Sequence, residues 1–362
     1  MPVLIGARAL AGLGAALLLP ASLAIIRVLW PDPVARGKVL GLWAGCNGLA
    51  LAMGPTLGGL LMHALGWRSI FYVVIPFGGA LALIAASALP ESSEAGGRRF
   101  DVVGQVFGAA ALAGAAVAAI QSHHAPIVAV VAAVGAVVAL AVFFANERRL
   151  GDGAMMPLGL FRAPAFTGAM AATASMTFGM YGVLFLLPLA WQQAEMFGPV
   201  GAGVALMPMA LAFVLVSPLS GALTARVGTP VMASGGVAIA AAGLVVVAVA
   251  AARASMPATM VALAMTGVGT GLATGPLLGA AIAAVPAPRA GTAAALINVA
   301  RMVGATGGVA VLGAIFALDA DTFAGLQHAL LVGAGLQLAG AAVASLTTGR
   351  QPRPRGKPNA TS

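Results

Sequence analysis

Long apolar runs, broken by short segments of Pro, Gly and charge, make up most of the chain. Residues 39–62, 69–90, 102–122, 125–146, 227–252 and 254–288 contain no Lys, Arg, Asp or Glu. A helix rises about 1.5 Å per residue, so about 20 apolar residues cross the hydrocarbon core of a bilayer. Each run is long enough. None alternates with a period of two, as the strands of a membrane barrel do. Cutting the chain at its loop signals predicts about 11 spans. They cover 3–27, 37–62, 68–90, 101–121, 126–146, 164–190, 201–224, 229–251, 257–284, 290–316 and 326–347.

Composition agrees with this pattern. The 362 residues are 61% hydrophobic and 7% charged, whereas a soluble domain is about a quarter charged. So few charges cannot cover a soluble surface, and the expected fold class is all-α, a polytopic membrane protein embedded in the lipid bilayer. The net charge of +9 raises the question of nucleic acid. Its distribution answers it, because the basic residues lie between spans and not in one patch. Assigned to alternate sides, 14 of the 18 basic residues fall on one side, and only Arg68 and Arg253 fall on the other. The positive-inside rule makes the richer side cytoplasmic. The expectation is a multi-pass protein of the cell (plasma) membrane with a cytoplasmic C-terminus. An odd number of spans then places the N-terminus outside. The segment 349–362 reads as a disordered basic tail with weak attraction to anionic lipid. Cys46 is the one cysteine, so no disulfide forms within the chain. The N-terminus lacks a signal-peptide pattern and reads as a retained first helix.

The chain also repeats itself. "GLGAALLLPASLAIIRVLWPDPVARGKVLG" (12–41) echoes "GVGTGLATGPLLGAAIAAVPAPRAGTAAA" (267–295). Gly12 and Gly14 align with Gly267 and Gly269, and each copy continues into a Pro-rich loop holding Arg36 or Arg289. Both copies run in the same direction through the bilayer. Parallel duplication of this kind is a transporter architecture in which the binding site lies between the halves.

The stretch 48–71, "GLALAMGPTLGGLLMHALGWRSIF", places Pro55 and several glycines inside a span. Pro55 cannot donate to the carbonyl of Leu51, so a kink is expected there. Gly41, Gly45, Gly54 and Gly58 form two four-residue pairs that leave a groove for another helix. Gly54, Pro55, Gly58 and Gly59, followed by Trp67, Arg68, Phe71 and Pro76, resemble the antiporter signature of the major facilitator superfamily, in its 14-span drug:proton antiporter branch. Arg8, Gly12, Gly14, Ala15 and Ala16 resemble that family's fourth-helix signature. The stretches 157–170, 221–231 and 288–308 resemble later landmarks in the family's order. The spans at 101–146 resemble the extra central pair of the 14-span members. The resemblance covers nearly all of residues 1–348.

It implies a major-facilitator-type helix bundle that exports lipophilic or amphipathic small molecules, as in drug or antibiotic efflux, by exchange for protons in the full-length form. Gly41, Gly45, Gly54, Pro55, Gly58 and Gly59 become the hinge and seal of alternating access. Residues 1–90 become a remnant of the N-terminal bundle (family helices 4–6). Residues 91–163 hold the two extra helices and cytoplasmic linkers, and 164–348 form the C-terminal six-helix bundle. The first three family helices are expected to be missing. A rival reading is a truncated, non-transporting membrane protein or partner subunit.

Among polar residues, Arg8 and Arg301 are the charges inside spans, and a mid-membrane Arg costs about 3 kcal/mol on the insertion scale. Arg8 either snorkels to the interface or reaches the substrate and proton pathway. Arg301, with Asn298 one turn earlier and Asn47 aligned with it in the repeat, either faces the cavity or bridges helices. None of the nine acids sits at mid-membrane, although proton coupling in this family uses one. Asp101 reads as a helix-start residue favoured by the macrodipole, and Glu195 as an outer-loop charge. His123 and His124 lack carboxylate or Cys partners. No nucleotide loop, zinc spacing or nucleophile motif appears, so neither an enzyme, a cofactor nor a metal is expected.

Overall fold

The computed structural model describes residues 2–30, 32, 39, 43, 46, 50, 53, 54, 56–89, 101–121, 125–151, 156–253, 255–286 and 289–349. Gly41, Gly45, Asn47, Pro55, His123, His124 and the tail from 350 onward lie outside them. Among the described residues there is no strand. The chain begins with α1 (Pro2–Leu29), α2 (Thr56–Leu65), α3 (Ser69–Tyr72) and α4 (Val74–Ala88). Next come α5 (Val102–Gln121), α6 (Pro126–Leu150) and a 3₁₀ turn (Leu158–Arg162). The rest is α7 (Pro164–Gln193), α8 (Pro199–Ala205), α9 (Met207–Val216), α10 (Leu219–Val227), α11 (Thr229–Ala252), α12 (Met256–Ala283), α13 (Ala290–Gly307), α14 (Gly313–Phe316) and α15 (Thr322–Thr347). Nine helical spans among the described residues are long and apolar enough to cross a membrane. The fold is all-α and polytopic, as expected.

Helix starts follow simple chemistry. The helices α6, α7, α8, α9, α11 and α12 each carry Pro at the first or second position. The missing N–H costs nothing there, because first-turn donors have no partner within the helix. Asp321 caps α15, its Oδ1 accepting from the N–H groups of Phe323 and Ala324 at 2.8 Å. Such a cap contributes about 1 kcal/mol. At the end of α2, Gly66 takes φ +78°, the left-handed turn that glycine adopts without strain.

The expected span 201–224 is one path bent twice. Helix α8 gives way to α9 at Leu206, and α9 to α10 at Ser217 and Pro218. Pro208 and Pro218 cannot donate to the preceding turn, so each leaves a gap in the ladder and a bend. The expected span 290–316 contains a short π segment (Gly308–Leu312) between α13 and α14.

Packing is uneven. Helix α11 lies against α12 and α15, α7 against α13 and α15, and α12 against α9. Between them, Leu186, Leu187, Trp191, Leu244, Leu263, Leu312 and Leu326 fill one core cluster. Phe166, Met176, Val237, Leu277 and Ile297 fill the other. Small residues let the backbones close. A Cβ at Gly267 would strike the Met209 carbonyl, one at Gly269 the backbone of Ala240, and one at Gly308 the Phe178 carbonyl. Several polar side chains are paired inside this apolar region, although Thr173 Oγ1 and Gln337 Oε1 are buried without a partner. Thr266, Thr270 and Thr274 donate to the carbonyls of Ala262, Thr266 and Thr270. Gln337, fully buried, donates from Nε2 to the Met176 carbonyl at 2.8 Å, tying α15 to α7. In the first 90 residues, by contrast, α4 has no buried residue at all.

Candidate functional site

A cleft of about 340 Å³ opens where α5 passes the α7–α13 pair. Ala116 and Ile120 of α5 form one wall, and Tyr181, Ala305, Thr306, Val309 and Ala310 form the other. The lining is apolar apart from the Tyr181 and Thr306 hydroxyls. That mixture, a greasy wall with a few oriented polar groups, holds lipophilic ligands with one polar end. The far wall exists because α13 comes so close to α7. A Cβ at Gly304 would collide with the Ala174 carbonyl and the Thr177 hydroxyl. Thr177 Oγ1 donates to the Arg301 carbonyl at 3.0 Å and so fixes the register of the crossing. The π segment begins at Gly308, where the Phe178 carbonyl occupies the place of a side chain.

Arg301 lies one helical turn before Ala305. Its Nε is enclosed and makes no hydrogen bond. Ala305, one turn on, lines the cleft, and Arg301 itself does not. Asn298 is half-buried on the same helix, and no hydrogen bond joins it to Arg301. The pair predicted from sequence therefore shares a face without pairing.

Arg8 is placed differently. It is exposed, and its guanidinium lies 4.8 Å above the ring of Phe71. Trp67 meets that ring edge-on at 6.1 Å, and Arg68 covers Trp67 at 4.7 Å. The structure thus joins two stretches that the sequence singles out separately, the Arg8 signature and the Trp67–Phe71 sequel. Of the small-residue motif, Gly54 and Gly58 have no atom near a notional Cβ. Gly59 is buried, and a Cβ there would lie 2.7 Å from the Pro199 carbonyl oxygen and 2.9 Å from the Val200 Cα. Gly59 therefore touches the start of α8, the entry to the later helices.

A second recess of about 320 Å³ lies near the end of α7, bordered by Phe185, Gln193, Phe316, Asp319 and Thr322. Beside it, Asp319 Oδ2 is 2.9 Å from His328 Nδ1. Glu195 is exposed at the nearby turn with φ 55°. Sequence reasoning missed Tyr181, Thr177 and Gln337. The last stood in plain view, as the one amide in the apolar run 329–344. Tyr181 and Thr177 carry no signal of their own, since their role depends on which helix α7 meets.

A bundle of membrane-length helices with an open apolar cleft between them defines a class of polytopic membrane proteins. The sequence profile of the Major Facilitator Superfamily matches residues 1–309, and the chain belongs to that family. It is 34% identical to the multidrug resistance protein Stp of Mycobacterium tuberculosis over 236 residues, 64% of this chain and 44% of that protein. It is 33% identical to the methylenomycin A resistance protein of Streptomyces coelicolor over 228 residues, 62% of this chain and 47% of that one. It is 29% identical to the multidrug efflux pump LfrA of Mycolicibacterium smegmatis over 210 residues, 58% and 42% of the two chains. The matched stretch is less than half the length of each relative.

Proposed function

We propose that this chain works in the export of a lipophilic, cationic or amphipathic small molecule, by proton antiport in the full-length form, from a cell membrane in which its C-terminus is cytoplasmic. The observation that carries the reading is the apolar cleft between α5, α7 and α13, lined by Tyr181 and Thr306, with Arg301, whose Nε is enclosed, one turn before the lining residue Ala305. Relatives named for multidrug and antibiotic resistance support the substrate class. In this reading Arg301 and Asn298 face the substrate or proton pathway, with Asn47 and Arg8 contributed by the first 90 residues. Gly41, Gly45, Gly54, Pro55, Gly58 and Gly59 form the hinge, and residues 164–348 act as one moving bundle.

Dye accumulation in cells tests it. Cells producing the chain should retain less ethidium than cells lacking it. Arg301→Ala should restore retention, while Arg68→Ala, on an exposed turn, should not. Equal retention with and without the chain overturns the export reading, and equal effects of the two substitutions remove Arg301 from the pathway. A reporter fused after residue 349 should read cytoplasmic, and an external reading overturns the orientation.

A further inference from the structure

Outside the cleft, two carboxyl groups meet where α5 begins and α6 ends. Asp101 caps α5, its Oδ1 accepting from the Gly104 N–H at 2.8 Å. Asn146 of α6 donates to both Asp101 oxygens, at 3.0 and 3.1 Å. Next to Asn146, Glu147 is 1% exposed. Its Oε2 accepts from the Met156 N–H at 2.7 Å. Its Oε1 is buried and has no donor. That oxygen faces Asp101, and both carboxyl groups crowd the same side of Gly104, where a Cβ would strike Asp101 Oδ2 and lie 2.9 Å from Glu147 Oε1. Oxygens of both side chains thus lie within 3 Å of one point beside Gly104.

Two ionised carboxylates cannot satisfy each other, because both are acceptors. A buried charge without a partner is costly, and acids sharing one site resolve this by sharing a proton. No cation takes the proton's place among the described residues. Arg148 and Arg149 on the same helix and Arg162 on the 3₁₀ turn are exposed, and none of them pairs with either acid. Asp101, with three N–H contacts and a helix N-terminus behind it, is the better place for the negative charge. We infer that Asp101 and Glu147 form a proton-binding pair, with the proton on Glu147 Oε1 donated to Asp101 Oδ2.

The pair does structural work when loaded. One proton links the start of α5, the end of α6 and the Met156 backbone that leads through Leu158–Arg162 into α7, the helix carrying Tyr181. Losing it sets two carboxylates against each other at that junction, so the junction loosens as pH rises. This inference does not depend on the export reading, and its test involves no transport.

Infrared spectroscopy of the purified full chain tests it directly. The wild type should show, at neutral pH, the carbonyl band of a buried protonated carboxylic acid, shifted in D₂O and lost at alkaline pH. Glu147→Gln keeps the donor and should remove the band. Asp101→Asn supplies a donor to Glu147, so the band should disappear there too. The melting temperature of the wild type should fall on going to alkaline pH, and that of Glu147→Gln should not. Should Glu147→Gln fail to fold, the Asp101→Asn spectrum decides. No band in the wild type, or a band unchanged in either variant, overturns the proposal. So does a band-free wild type whose melting temperature rises on adding Mg²⁺, because the pair would then hold a cation.

Discussion

Two stretches of this chain share a sequence pattern but not surroundings. Gly12 and Gly14 lie on α1, and Gly267 and Gly269 occupy the matching positions on α12. On α12 both glycines are fully used. Gly267 lies against the Met209 carbonyl of α9, and Gly269 lies against the Ala240 backbone of α11. On α1 a Cβ at either glycine would meet no atom within 4 Å. The same contrast runs through the helices around them. In the most apolar 18-residue stretch of α7, 61% of the residues are buried, against 6% in that over α3 and α4. A small-residue pattern therefore records that a helix surface can be approached closely, while the partner decides whether it is. In lipid this matters more than in water, since helix association rests on packing and hydrogen bonds and not on removing apolar surface from water.

The sharpest way to break the comparison is a matched pair of substitutions. Gly269→Leu drives a branched side chain into the α11 backbone and should cost about 3 kcal/mol, the upper end of the usual range for overpacking. Gly14→Leu meets open space and should cost less than ~0.5 kcal/mol. Thermal melting of the full chain in detergent reads both, and equal shifts would erase the distinction between the two copies. Next in size is the motif around Pro55. Gly59→Leu strikes Pro199 and Val200 and should lower the amount of folded protein, with a melting shift equivalent to about 1–3 kcal/mol. Gly58→Leu should leave folding unchanged, so any loss of export it causes reports on motion instead. A Gly58→Leu chain that exports at the native rate argues against the hinge.

Much of the fold was legible because apolar run length and Pro starts are local signals. The expected spans from 101 to 146 and from 229 to 347 each found a helix, with ends displaced by up to about four residues. The bends at Leu206 and Ser217 were also available, since Pro208 and Pro218 stand inside the expected span, but the absence of charge masked them. The π segment at Gly308 was not legible, because the Phe178 carbonyl that accompanies it belongs to another helix. Glu147 was hidden for a related reason. "NERR" at a helix end reads as a solvated charge run, yet Glu147 is buried between the start of α5 and the Met156 backbone. The neighbour of Arg8, the Phe71 ring 63 positions away in "IFY", was not legible either, because it depends on how α1 meets α3.

Smaller effects sharpen the picture on the packed side. Gln337→Leu removes the donor to the Met176 carbonyl and should lower stability by about 0.6–1.7 kcal/mol, the range for hydrogen bonds between membrane helices. A stability rise would mean that the unpaired Gln337 Oε1 outweighs the bond. Smallest of all, Phe71→Leu takes away the ring beneath Arg8 and should shift melting by no more than ~1 kcal/mol, as for an exposed cation–π contact. A larger loss would show that the first 90 residues depend on that contact far more than their exposure implies.

The proposed substrate site is the cleft bounded by α5, α7 and α13. Fluorescence titration of the purified full chain with a lipophilic cationic dye measures that claim most directly. Wild-type chain should bind the dye saturably. Thr306→Trp, which fills the cleft of about 340 Å³ without touching the Gly304 and Gly308 crossing, should weaken binding at least ~10-fold, about 1.4 kcal/mol. Gly14→Leu should bind as the wild type does. Undiminished binding by a folded Thr306→Trp chain would contradict the account and move the site elsewhere.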